Sequence, residues 1–359
     1  MRIAINTGGG DAPGLNAVIR AASLSALNLG WEVVGIRRGY QGLFEEDGLV
    51  PLTRDSVRGI THLGGTILGT TNRGNPLHWP VEGPDGKIEL IDRSDRVVSE
   101  FERNGLDALI AIGGDGSLTI ASKLWEKGLP VVGVPKTIDN DLAATQVTFG
   151  FHTAVETATD AISRLHSTAE SHSRVMVVEV MGRGTGWIAL FAGLAGTADV
   201  ILIPEIPYHS EKIYEKIRSR YRGELGFAVV VVAEGAFPEG GRPVLAEEGA
   251  PGTSERFGGI AEQLAHEIGE HTGKETRSLV LGHLQRGGQP NAYDRLLSLR
   301  FGAAAVDLVK DGCFGCMVAL NPPDVLAVPM SEALAQIKRV PVDGDVVRTA
   351  RSLGISFGD

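Results

Sequence analysis

The sequence is poor in the features that mark several common protein classes. Only two cysteines occur in 359 residues, Cys313 and Cys316 in "DGCFGCM". A single CxxC is half of a zinc site or a redox pair. No second pair completes a four-cysteine site, and small core residues are the better reading. Excess positive charge is also absent: 34 Lys and Arg face 44 Asp and Glu, a formal net charge of −10. That balance argues against general affinity for nucleic acid or an anionic membrane, so any cationic site must be local. No apolar run approaches the roughly 18 residues of a membrane span. The opening "MRIAINTGGG" reads as a strand and a turn, without the charged and apolar regions of a signal peptide. A cytoplasmic protein is expected, with neither nucleic acid nor membrane as partner.

Against these absences stands a composition of 43% hydrophobic and 22% charged residues, that of a soluble chain with a sizeable core. The length suffices for two domains. Short β-branched runs recur: "RIAI", "WEVVGI", "ALIAI", "PVVGV", "RVMVVEV", "DVILI", "FAVVVVAE", "SLVLGH" and "CMVAL". They are continuous rather than alternating, as strands buried on both faces of a parallel sheet are. Helix-length segments separate them. In "LNAVIRAASLSALNLG", Leu15, Val18, Ile19, Ala22 and Ala26 share one face and Gly30 stands as C-cap. The predicted class is therefore α/β. Residues 74–89 and 236–258, rich in Gly and Pro, read as surface loops, the second long enough to be functional or an insertion.

Four stretches that follow or flank these strands carry chemistry, where ligands gather in open α/β sheets. In "TGGGDAPGLNA", residues 7–17, glycines let backbone N–H groups approach an anion ahead of a helix start. The stretch fits neither the Walker nor the GxGxxG spacing, and a tight βα turn would use the same glycines. In "IGGDGS", residues 112–117, Asp115 can hold Mg²⁺ while the glycines leave room for phosphate. GGDG after a strand indicates phosphoryl transfer without naming the acceptor; an ordinary glycine turn is the alternative. "PKTIDND", residues 135–141, supplies Lys136 and Thr137 for phosphate oxygens and Asp139 and Asp141 as carboxylates. One carboxylate could take the proton an acceptor hydroxyl loses; an Asx-turn would use the same residues structurally. Finally, Arg174, Arg183, Arg277 and Arg286 lie near strand ends and glycine turns. Arginine forks suit phosphate, although surface ion pairing explains any single one. His283 is a phosphate ligand or a structural histidine.

Taken together these stretches resemble the phosphofructokinase family over nearly the full length. "GGGDAPGLNAVIR", "GGTILGT", "GGDGS", "KTIDND", "ESHSRVMVVEVMGR", "VVAEG" and "GHLQRGG" stand in the family's order and approximate spacing. The chain is similar in particular to the mixed-substrate bacterial branch, whose members use ATP or pyrophosphate. The resemblance implies two doubly wound domains of mostly parallel sheet with helices on both faces. Residues 1–140 plus 286–335 would form the donor domain, and 141–285 plus 336–359 the sugar-phosphate domain. The implied reaction moves the ATP γ-phosphoryl group to the 1-hydroxyl of fructose 6-phosphate.

Residue by residue, the resemblance makes Asp139 the base and Asp141 its support. Asp115 would bind Mg²⁺, and Gly10, Gly113, Gly114, Gly116 and Ser117 would line the donor site. Thr137, Met181, Gly182, Arg183, Glu234, His283 and Arg286 would hold the sugar phosphate, with Arg183 also near the transferring group. Arg174 and Arg277 would reach the 6-phosphate of a neighbouring subunit, making the active site a property of a homo-oligomer, dimer or tetramer. Neither arginine has an obvious acidic partner nearby in sequence.

The chain departs from the family pattern in three places. After "GGTILGT" the arginine that stabilises the transferring phosphate is displaced, and Arg73 fills the role only if the loop shifts by one residue. Arg20 and Arg54 of the family's effector site remain, but Ser23 and "RGELGFAV" replace its other basic residues, which argues against nucleotide or phosphoenolpyruvate control there. For the donor, pyrophosphate users carry Asp where this chain has Gly116, crowding the nucleotide α-phosphate, but share its Lys136. The two positions disagree. Steric exclusion is the harder constraint to bypass, so ATP is the expected donor and pyrophosphate the alternative. Two rivals remain: a kinase for NAD or lipid, which shares GGDG but not "TIDND" with "GHLQRGG", and a non-catalytic nucleotide-sensing subunit. The latter type usually loses the aspartates kept here.

Overall fold

The computed structural model describes residues 1–71, 74–83, 86–222, 226–247 and 256–359. Within them, each continuous apolar run is a strand. The larger sheet contains β1 (Arg2–Thr7), β2 (Glu32–Ile36), β3 (Leu49–Pro51), β6 (Ala108–Gly113), β7 (Val131–Pro135), β14 (Cys316–Asn321) and β15 (Asp324–Pro329). Its order is β15-β14-β7-β6-β1-β2-β3. The five inner strands are parallel, and the two edges, β3 and β15, are antiparallel. The smaller sheet is wholly parallel, with β8 (Val175–Val180), β9 (Val200–Leu202), β10 (Ala228–Ala233) and β13 (Thr276–Val280) in the order β13-β8-β10-β9.

The two stretches expected as loops each contain a ribbon instead. β4 (Trp79–Glu82) pairs with β5 (Ile88–Ile91), and β11 (Leu245–Glu247) with β12 (Arg256–Phe257). Such ribbons need only a hairpin's local pairing, so they leave no continuous apolar run in the sequence.

Helices cover both faces of both sheets. α2 (Ser94–Arg103), α3 (Asp115–Glu126) and α9 (Met330–Ala333) pack on the outer face of the larger sheet; α6 (Ser210–Arg220) and α7 (Ile260–Thr272) do so on the smaller. Between the sheets lie α1 (Leu15–Asn28), α8 (Ala292–Lys310), α4 (Phe151–His172) and α5 (Trp187–Ala195), with α10 (Asp345–Ser352) against α5. One apolar core runs through all of them and contacts both sheets. The fold is thus two doubly wound layers joined by a common core. The face read on α1 is buried throughout, and Gly30 closes the helix at φ 77° while Trp31 N donates to Ala26 O. Cys313 in the turn before β14 and Cys316 at its first position are half-buried, their sulfurs 3.2 Å apart, rather than in the core. Burial raises the Cys316 thiol to about 11. Among the described residues no helix is long and apolar enough to cross a membrane.

α1 and α8 approach at backbone distance where Gly302 has no side chain. A Cβ there would stand 2.6 Å from Val18 O and 2.8 Å from Ala21 Cβ. Overpacking costs about 1–3 kcal/mol, more than the roughly 1 kcal/mol of helix propensity that alanine gains over glycine. Gly302→Ala should therefore lower stability in denaturant unfolding; a stabilised variant would contradict this packing.

Candidate active site

The loops singled out in the sequence follow the carboxyl ends of β1, β6, β7, β8 and β10. Two of them interlock through missing side chains. The hydroxyl of Ser117 fills the position a Cβ on Gly8 would take, 2.7 Å away, and its Cβ lies 2.3 Å from one built on Gly113. Gly8 N donates to Ile112 O at 2.9 Å. The "GGTILGT" stretch is tied to the same loop, Thr70 Oγ1 donating to Gly9 O and Thr7 Oγ1 to Gly69 O. Gly116 differs from these glycines. A Cβ there meets nothing within 4 Å, and the position is exposed at the start of α3, beside exposed Asp115. Arg73 lies outside the described residues.

Lys136 points under the first loop, its Nζ donating to Gly10 O. Burial, reinforced by Arg286, lowers its pKa to about 8. The next residues turn through Asn140, which sits at φ 52°, a conformation asparagine tolerates better than most residues. Its Oδ1 accepts from Thr148 N. That bond reaches eight residues along the chain, so Asn140 holds the backbone but not as a local Asx-turn. The two aspartates differ. Asp139 Oδ2 accepts from Thr137 Oγ1 at 3.3 Å, but Oδ1 of Asp139 and Oδ1 of Asp141 are buried without a protein partner. Burial and the neighbouring Asp139 raise Asp141 to about 6, with Asp115 acting in the same direction and Arg183 against it.

From the smaller sheet, β8 delivers Met181, Gly182 and Arg183. Gly182 takes φ 148° and Arg183 φ 51°, which turns both N–H groups onto Glu234 Oε1 at 3.3 and 2.8 Å. Burial, and then Asp139, raise Glu234 to about 7. Thr185 Oγ1 donates to Asp139 O at 3.2 Å, joining this turn to the 136–141 loop across the two sheets. Past β13, His283 is exposed beside an open depression that includes Thr157, Leu281 and Gly288. Arg286 crosses to the loop after β1, where Nη1 donates to Asp11 O at 3.1 Å and lies 3.1 Å from the Cβ position of Gly10.

Arg174 and Arg277 are not brought to this site. Both stand at the amino ends of β8 and β13, whereas Arg183 follows the carboxyl end of β8. Six strand residues separate the ends by about 20 Å. Nor do they lack an acidic partner, contrary to the sequence reading: Glu275 accepts from Arg174 at 2.9 Å and from Arg277 at 2.6 Å.

Sequence reasoning missed Lys338. It is half-buried against the 140–146 turn, and burial lowers its pKa to about 8 while Asp141 opposes the shift. The segment "QIKRVP" carries no glycine signal, and nothing local marks it. As for a metal, the unpartnered hard oxygens of Asp139 and Asp141, with exposed Asp115 nearby, suit Mg²⁺ chemically. Among the described residues no group of three or more His, Cys, Asp or Glu forms a cage. Mg²⁺ is usually held by one or two carboxylates plus substrate phosphates.

Residues 2–309 match the family model described as Phosphofructokinase. Over 360 residues the sequence is 54% identical to the ATP-dependent 6-phosphofructokinase of Chloroflexus aurantiacus, covering 100% of this chain and 98% of that one. It is 53% identical over 344 residues to the pyrophosphate–fructose 6-phosphate 1-phosphotransferase of Amycolatopsis methanolica, covering 95% and 96%. Pichia pastoris phosphofructokinase in the T-state superposes with a TM-score of 0.80 at 32% identity over 93% of this chain, which spans 35% of that longer chain. The pyrophosphate-dependent phosphofructokinase of Marinobacter aquaeolei gives a TM-score of 0.80 at 24% identity, over 99% and 91% of the two chains. That last likeness concerns fold alone.

The raised pKa of Glu234 has a definite sign in stability. The native state keeps its proton up to about pH 7, while the unfolded chain loses it near the usual carboxylate value. Stability from this group is therefore complete below the unfolded pKa and falls until pH passes the folded one. Glu234→Gln, which can still accept both N–H groups, should match wild type near pH 4 and exceed it by about 3 kcal/mol at pH 8. Equal unfolding free energies at pH 8 would contradict the assignment.

Proposed function

This chain belongs to the phosphofructokinase family, and on that premise we propose that it transfers the γ-phosphoryl group of ATP to the 1-hydroxyl of fructose 6-phosphate. The product is fructose 1,6-bisphosphate. The observation that carries the reading is the pair Asp139 and Asp141, each with a buried oxygen that no protein group satisfies. Buried carboxylate oxygens are seldom left so, and a reacting hydroxyl and its donor supply the missing partners. Asp139 takes the hydroxyl proton and Asp141 supports it. Thr137, Met181, Gly182, Arg183, Glu234, His283 and Arg286 hold the sugar phosphate, and Arg183 and Arg286 bring positive charge toward the transferring group.

Mg²⁺ would be held by Asp115 together with donor phosphate oxygens, offsetting their charge. Gly10, Gly113, Gly114, Gly116 and Ser117 line the donor side. The donor half comprises residues 1–140 and 286–335, and the sugar-phosphate half 141–285 and 336–359. In support, strands β8, β9, β10 and β13 all fall in the second half, and Ser356 near the C-terminus pairs with Val200 of β9.

The reading includes a homo-oligomer in the cytoplasm whose subunits complete one another's sites. Its support is the placement of Arg174 and Arg277, far from their own chain's site, beside an edge strand. β13 exposes Arg277, Ser278, Leu279 and Val280, and an uncovered edge with apolar side chains is ordinarily paired or shielded.

Two variants test the assignment. Asp139→Asn should lower kcat by about 10²–10⁴-fold with little change in the KM for fructose 6-phosphate, and near-normal kcat would remove Asp139 as base. Gly116→Asp should fold normally, because a Cβ there meets nothing within 4 Å. It should nevertheless lose about 100-fold or more in kcat/KM for ATP through charge repulsion while pyrophosphate use is retained or gained. Undiminished ATP use by this variant would show that position 116 does not select the donor.

A further inference from the structure

The C-terminal segment that leaves the larger sheet passes directly behind the catalytic turn. Ile337 bridges Leu142, Lys338 N donates to Asp141 O at 2.8 Å, and Trp187 Nε1 donates to Lys338 O at 2.8 Å. The Lys338 side chain is then enclosed by acceptors. Its Nζ donates to Asn140 Oδ1 at 2.7 Å, Thr145 O at 3.0 Å and Gln146 O at 3.1 Å, and lies 5.7 Å from the centre of the Trp187 ring. An ammonium has three donors, and all three are engaged with the turn. None is left for a substrate or a phosphate.

We propose that Lys338 is a positioning residue for phosphoryl transfer, clamping Asn140 in its left-handed conformation so that Asp139 and Asp141 present their unpartnered oxygens to one site. Asn140 is the residue between the two carboxylates, and its φ of 52° sets the direction of both. That conformation is unfavourable for a residue with a side chain, so it persists only where its surroundings fix it. Two donors do so here, Thr148 N at 3.2 Å and Lys338 Nζ, both on Oδ1. The lysine also sets a positive charge near Asp141, where it offsets carboxylate repulsion while its donors stay on the turn. The arrangement spans 198 residues of sequence between Asn140 and Lys338. The C-terminal segment is thereby a working part of the site.

The inference rests on the function proposed above, and the test separates the two. Lys338→Met keeps length and apolar bulk but removes charge and donors. With fructose 6-phosphate and the better donor, kcat should fall about 100-fold, the scale of a misplaced catalytic group, while both KM values stay within about threefold. Lys338→Arg, which restores the charge and donors, should recover most of the loss. Asn140→Gly permits the same φ but lacks the acceptor, and combining it with Lys338→Met should cost less than the product of the two single losses. Wild-type kcat in Lys338→Met would overturn the proposal. So would parallel losses in kcat, KM and thermal stability that arginine does not recover, since those mark a purely structural lysine. If Lys338→Met fails to fold, Asn140→Ala decides, since alanine lacks both the acceptor and glycine's ease at positive φ: full kcat there overturns the clamp. A wild type inert on fructose 6-phosphate with either donor overturns the functional reading itself, and this inference with it.

Discussion

The structure is organised around keeping one oxygen each of Asp139 and Asp141 buried, close together and without protein partners. Burial, and after it repulsion from Asp139, raise the pKa of Asp141 and of Glu234 beside it. The cations are arranged around this acidic centre rather than bonded to it. Lys136 turns under Gly10, Lys338 sits behind Asn140, and Arg286 reaches Asp11 O. Each lies close enough to balance charge. None quenches the two free oxygens by a direct ion pair.

Holding such an arrangement requires both sheets. The larger one delivers the glycine loops and the 136–141 turn from the ends of adjacent parallel strands, β1, β6 and β7. The smaller one delivers Arg183 and Glu234 from β8 and β10, also neighbours. The hydrogen bond from Thr185 to Asp139 O and that from Arg286 to Asp11 O then cross the gap. The core shared by α1, α8, α4 and α5 keeps the two layers in register with one another.

Much of this was legible in the sequence, for a physical reason. Strands buried on both faces must be apolar at every position, so the parallel strands announce themselves as continuous runs. β3 and β15 did not, because they are edge strands with exposed or half-exposed faces. The two ribbons were hidden by the glycines and prolines around them. The glycine loops were readable because close approach of one loop to another forbids a side chain, as Gly8 and Gly113 show against Ser117. Lys338 was not readable, since its partners are carbonyls and an amide far away in the chain. Glu275 was missed for two reasons: its pairing with Arg277 is local but unremarkable in sequence, and its pairing with Arg174 forms only where β13 lies beside β8. Lys136 is the part that changed most. Read as a contact for phosphate oxygens, it donates to Gly10 O and is nearly enclosed at 4% exposure.

What the fold leaves open at Gly116 and occupies at Lys136 concerns the donor, and there one measurement bears directly on the whole account. Initial rates on fructose 6-phosphate with Mg²⁺ should be compared for the wild-type protein supplied with ATP or with pyrophosphate. Fructose 1,6-bisphosphate should form with a clear preference for ATP. Turnover with pyrophosphate alone would contradict the weight placed on the open space at Gly116, and no turnover with either would contradict the catalytic reading of Asp139 and Asp141.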